Sequence, residues 1–183
     1  MKTALIAGAT GLVGGELLRI LLERPEYGRV VAIGRRRIDL THPKLEQRLV
    51  DFDRLTDAAD AFLVDDVYCS VGTTLKKAGS QEAQRRVDYD FQLAVARGAL
   101  GGGARQFLLV SSMGADSQST FFYNRMKGDL ETAVQALGLP SIRIFRPSLL
   151  LGERQEVRRG EQLAIRLAPL YAPLFPAKYR PIS

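Results

Sequence analysis

Apolar positions along the chain gather into short continuous runs, separated by longer stretches in which they recur every three or four residues. The runs "TALIAGA" (3–9), "RVVAIG" (29–34), "QRLVDF" (47–52), "DVYCSVG" (66–72), "RQFLLVSS" (105–112) and "SIRIFRP" (141–147) read as strands. Between them "LVGGELLRILLE" (12–23), a short stretch from Leu55 to Ala61, Gln81 to Leu100, and Thr120 to Leu137 carry helical spacing. Strands apolar on both faces and joined by helical crossovers predict a doubly wound parallel sheet, an α/β fold of three αβα layers. The "GGG" at Gly101–Gly103 reads as the turn after a helix.

Beyond Pro147 the rhythm breaks, and Pro169, Pro173, Pro176 and Pro181 leave room for little more than one helix. We expect one domain over 1–183, with 148–183 a small cap over the sheet. A membrane-surface or partner-binding helix is the alternative reading of that stretch.

Composition changes this picture little. A length of 183 residues with 46% hydrophobic content suits one sizeable core. Cys69 is the single cysteine, so no intrachain disulfide can form, and its setting in "VYCSVG" predicts a buried thiol. His42, the single histidine, lies in the loop-like "DLTHPKLEQ" and reads as a surface residue; one Cys and one His make no zinc site. The N-terminus has no leader-like pattern and no apolar run approaches the ~20 residues of a membrane span, so the expected location is cytoplasmic without integral membrane association. The net charge of +6 comes from scattered basic residues without interleaved aromatics. That pattern argues against nucleic acid and for an anionic small ligand.

The chemistry starts at "ALIAGATGLVGGELL", where Gly8, Gly11 and Gly14 stand between the first strand and the first helix. There the unpaired N–H groups of a helix start can meet a phosphate. The first glycine permits the turn, the second admits a pyrophosphate, and the third lets helix and strand approach, which predicts a dinucleotide ligand. The second strand ends in "GRRR" rather than in a carboxylate. Arg35 and Arg36 there suit the 2′-phosphate of NADP(H) rather than the free ribose of NAD(H), while Arg37 reads as merely solvated. Asp51, after the third strand, is placed to accept from the adenine amino group or to cap the helix that begins near Asp53.

The fifth strand closes in "SSMGAD", and "YNRMK" follows, with Tyr123 and Lys127 one helical turn apart. A nearby ammonium favours phenolate, which lowers a phenol pKa of ~10 towards working pH for general acid–base use. The Ser112 hydroxyl could then polarise a carbonyl.

Taken with these motifs, the chain resembles the atypical NAD(P)-binding branch of the short-chain dehydrogenase/reductase superfamily, and within it the Tat-interacting-protein group and its bacterial relatives. The resembling segments are "GATGLVGG", "GRRR", "VDFD", "VGTTLKKAGS", "VDYD", "SSMGAD", "FFYNRMKGDLE" and "FRPSLLLGERQEVRRGE". The resemblance implies a Rossmann fold, catalytic Ser112, Tyr123 and Lys127, and a second role for Lys127 on the nicotinamide ribose. It implies cofactor contacts from Gly8, Thr10, Gly11, Leu12, Val13 and Gly14, from Arg35 and Arg36, from Asp51 and Phe52, from Val71, Gly72 and Thr73, and from Arg146 and Pro147. Asp88 in "VDYD" departs from the Asn that many reductases of the superfamily carry there. Related proteins continue for a further strand and helix after the segment matching "AKYRPIS". The implied activity is hydride transfer between NADP(H) and a small carbonyl or hydroxyl substrate whose identity is open. A regulatory, NADP(H)-sensing or protein-binding module without turnover is the alternative. A homodimer is the assembly that superfamily membership suggests.

Overall fold

The computed structural model describes residues 1–148; the expected cap over 148–183 lies, from 149 onward, outside the described residues. Six strands form one parallel sheet: β1 (Lys2–Ala7), β2 (Tyr27–Gly34), β3 (Leu45–Leu49), β4 (Asp66–Cys69), β5 (Gln106–Val110) and β6 (Ile142–Phe145). Their spatial order is β3-β2-β1-β4-β5-β6. The direction of winding therefore reverses between β1 and β4: the two strands stay paired, and the connections that leave them run to opposite sides of the sheet, which opens a crevice beyond their C-terminal ends.

Alternation along β1 sorts the core into two layers. Ala4 and Ile6 point to the side where Val30 and Ala32 of β2 meet Leu18, Leu21 and Leu22 of α1 (Leu12–Glu23). Leu5 and Ala7 point to the other side, with Val31, Val67, Phe107 and Leu109 against Phe62, Val95, Leu130 and Val134. Burying each of the larger of these side chains, the Val, Leu, Ile and Phe, contributes roughly 1.5–3 kcal/mol, so the two layers together pin the register.

The remaining helices are α2 (Leu75–Ala78), α3 (Gln81–Arg85), α4 (Gln92–Gly101) and α5 (Phe122–Gln135). The helix expected over 81–100 is interrupted by a π-helical turn, Arg86–Phe91, between α3 and α4. The third strand lies earlier than the expected 47–52, because β2 ends at Gly34, opposite Leu49, and leaves no partner for a longer ladder. Past that point Asp51 caps the 3-10 segment Phe52–Phe62 by accepting from the Asp53 N–H at 3.0 Å, the second of the two roles expected of it. The periodicity does not predict helix α2, although "TTLKKAG" carries both of its stops. Thr74 Oγ1 accepts from the Lys77 N–H at 3.2 Å, and Gly79 closes the turn at φ +86°.

Candidate functional site

The glycine turn is built by contact rather than by composition. Gly8 holds φ +93°, and a Cβ there would lie 2.5 Å from the Ser70 carbonyl carbon. A Cβ on Gly14 would lie 2.6 Å from Ser70 Oγ and closer still to the Gly8 carbonyl oxygen. Gly11 differs: its N–H bonds the Gly8 carbonyl at 3.0 Å, and a Cβ would meet only that oxygen, at 3.3 Å. Among the described residues, nothing else lies within 4 Å of that position. Helix α1 starts at this point with no side-chain cap, so its first N–H groups are aimed outward unclaimed by a capping oxygen.

These groups open on a cavity of about 250 Å³ at the switch between β1 and β4. Gly8, Thr10, Gly11, Arg35, Arg36, Phe52, Val71, Gly72 and Thr73 line it, all expected from the sequence. Leu12, Val13, Gly14 and Asp51 are not part of the lining, nor is Arg37. Ile38, Gln47, Arg48, Lys77, Val87 and Phe91 are wall residues that sequence reasoning missed. For Lys77 the cap signals of α2 would have found the element. Phe91 stacks on Phe52 with ring centroids 5.2 Å apart, a pairing across distant segments that carries no local signal.

The second cluster of expected residues sits at the ends of β5 and β6 and on α5. Ser112 is half-buried just past β5, where the Met113 N–H bonds the Pro147 carbonyl at 3.1 Å and ties the two strand ends together. Tyr123 stands in the first turn of α5 and is 38% exposed, whereas Lys127, one turn on, is 2% exposed. They share a helix and not an environment. Arg146 pairs with Glu131 of α5, its Nε donating to both carboxylate oxygens at 3.1 Å, and Ser111 donates to the same carboxylate. Ser112, Tyr123, Lys127, Arg146 and Pro147 do not line the cavity.

Lys127 is received inside by groups the sequence did not single out. Its Nζ donates to Gln92 Oε1 at 3.0 Å. Burial lowers its pKa below the ordinary lysine value, while Asp88, Cys69 and Glu131 act to keep it charged. Asp88, on the π-helical turn, is itself 3% exposed and accepts from the Thr73 N–H at 3.1 Å. Burial pushes its carboxyl up to about 6, against the pull of Lys127 and that N–H. The Cys69 thiol is buried as expected, which raises it to about 11 and leaves it unreactive near neutrality.

Among the described residues no helix is long and apolar enough to cross a membrane. No protein-family model matches the chain. In fold, the chain superposes on the Bordetella bronchiseptica enzyme WbmH, solved in complex with NAD+, with a TM-score of 0.73 over 95% of this chain and 18% identity. It spans 62% of that protein's length, and the match establishes the Rossmann fold. In sequence it is 41% identical over 167 residues to the protein HTATIP2 of Rattus norvegicus, covering 89% of this chain and 69% of that one. It is 37% identical over 184 residues to the mitochondrial protein FMP52 of Meyerozyma guilliermondii, covering 95% and 79%. Identity at this level over two thirds or more of each relative, on the topology just described, makes the chain a member of the family of HTATIP2 and FMP52 proteins.

Proposed function

We propose that the chain binds NADP(H) and reduces a small carbonyl substrate, or oxidises the corresponding alcohol. The observation that carries the reading is the uncapped start of α1 at a cavity that Arg35 and Arg36 also border. A pyrophosphate fits in front of Gly11, where a Cβ would meet so little protein, and the α1 N–H groups would hold it. Arg35 and Arg36, exposed at the end of β2, would grip a 2′-phosphate in place of the carboxylate that takes a free ribose. The nicotinamide, when bound, supplies or accepts the hydride.

In the proposed reaction Tyr123 donates a proton to the carbonyl oxygen, Ser112 orients that oxygen by a hydrogen bond, and Lys127 lowers the cost of leaving a phenolate behind. The NAD+ held by WbmH supports a nicotinamide dinucleotide as the class of ligand. A second reading, a dinucleotide-responsive binding module, is favoured by one observation: none of Ser112, Tyr123 and Lys127 lines the cavity.

Titration with NADPH and NADH, followed by nucleotide fluorescence, tests the first part. NADPH should bind at least about tenfold more tightly, the scale of a charge-assisted phosphate contact. Equal affinities overturn the NADP(H) assignment. A panel of aldehydes, ketones and quinones followed at the NADPH absorbance tests the second part. Tight NADPH binding with no turnover across the panel decides for the binding module.

A further inference from the structure

Gln92 opens α4 directly after the π-helical turn, and it is completely buried. Its side-chain amide is used at both ends. Nε2 donates to the Val71 carbonyl at 2.6 Å, and Oε1 accepts from Lys127 Nζ at 3.0 Å. A carbonyl oxygen requires a donor and an ammonium requires an acceptor, so only one orientation of the amide satisfies both. One turn earlier Asp88 accepts from the Thr73 N–H, and its Oδ1 would lie 3.2 Å from a Cβ on Gly72. Two buried polar side chains of one helical segment thus hold the loop Val71–Thr73 on both sides of Gly72. That loop is cavity wall.

We propose that Gln92 is a positioning residue that fastens the cavity wall to Lys127, fixing the place and the protonation of the ammonium from the same amide that holds Val71. The inference rests on the proposed function for the task given to Lys127, and on the hydrogen-bond geometry alone for the clamp. Glutamine here is a specific choice: leucine fills the space with no polar atom, and glutamate keeps the acceptor for Lys127 while turning an oxygen towards the Val71 carbonyl. Among the described residues, the titratable groups that act on Lys127 are Asp88 from the π-helical turn, Cys69 from β4 and Glu131 from α5 itself. All three remain in either variant.

The test follows Lys127 in lysine-labelled protein by NMR as a function of pH. Gln92→Glu should raise the Lys127 midpoint and Gln92→Leu should lower it, each by about one unit, because one adds a charge at the acceptor position and the other removes the acceptor. A space-filling role predicts no such opposition. Unchanged midpoints, or shifts of the same sign in both variants, overturn the proposal, and if one variant fails to fold the other still has a required direction. The wild-type protein supplies a second measurement: the Gln92 side-chain NH2 should exchange with solvent at least about 100-fold more slowly than that of exposed Gln135, as expected of a buried bonded group. Exchange as fast as Gln135 overturns the clamp. NADPH titration of the same samples separates the two readings, since failure to bind removes the proposed function while the order of midpoints still decides the role of Gln92.

Discussion

The two ends of the candidate site are made of different material. Around β1, β2 and β4 it is mostly backbone: a glycine turn, the start of α1, and the loop Val71–Thr73, with the arginines of "GRRR" at the rim. Around β5, α5 and β6 it is side chains, each with its own neighbours. Lys127 is drawn inward to Gln92, Arg146 is paired to Glu131, and Tyr123 remains 38% exposed. The first end converges because the sheet sets the C-terminal ends of β2, β1 and β4 side by side, and each contributes the backbone that follows it. The second depends on what each side chain finds nearby, and the sequence motif does not specify that.

The largest expected effect falls on the side-chain end. Tyr123→Phe removes one hydroxyl from a half-exposed ring, so the fold and NADPH affinity should stay as they are. Turnover on a substrate found in the carbonyl panel should fall about 10²- to 10⁴-fold, the usual scale for a general acid–base group. Full activity in this variant would remove Tyr123 from the chemistry and leave the backbone end standing alone.

At the backbone end two neighbouring glycines should break differently. Gly14→Ala drives a methyl group into Ser70 Oγ and the Gly8 carbonyl, and should cost about 3 kcal/mol of stability in urea denaturation, the upper scale of overpacking. Gly11→Ala meets one oxygen at 3.3 Å, so it should fold nearly as wild type and lose NADPH affinity. If both variants lost stability equally, the space before Gly11 would be structural rather than kept for a ligand.

The same contrast explains what could be read from the sequence. The doubly wound sheet and α1 over Leu12–Glu23 follow from periodicity, and the glycine turn follows from spacing, because all three are set by residues close in sequence. The displaced third strand follows from where β2 ends, which is information from another element. Asp88 and Gln92 lie within an expected helix, yet their partners come from the loop after β4 and from α5. The legible hint was a glutamine inside the apolar run "FQLAVA", a polar group that must be satisfied once buried.

Asp88 gives the next effect in size. Its ordinary carboxyl value of 3.8 rises to about 6 in the fold, so the native state holds a proton that the unfolded chain has released between those values. Stability from this group is therefore fullest below pH ~4 and declines as pH rises through 6, by about 3 kcal/mol in all. Other carboxylates, such as Asp65 and Glu46, are held below their ordinary values and slope the other way. The measurable quantity is the stability of wild type minus that of Asp88→Asn, by denaturation from pH 3.5 to 7. That difference should fall with pH, and a flat difference would show that Asp88 ionises in the fold as freely as in the unfolded chain.

The smallest effect tests how far the cavity reaches along the arginine run. Arg35 and Arg36 border the cavity, and Arg37 is exposed outside it. An arginine–phosphate contact is charge-assisted and often bidentate, whereas a solvated arginine acts only through a screened field. Arg35→Asp should weaken NADPH binding about tenfold and leave NADH nearly untouched, since a carboxylate can accept from the free ribose hydroxyl. Arg37→Asp places the same charge reversal two residues on, and should change NADPH affinity less than about twofold at physiological salt. The pair is informative because net charge changes identically. Equal losses would mean that the run attracts the ligand by charge alone, and the NADP(H) preference would then rest on no particular contact at the end of β2.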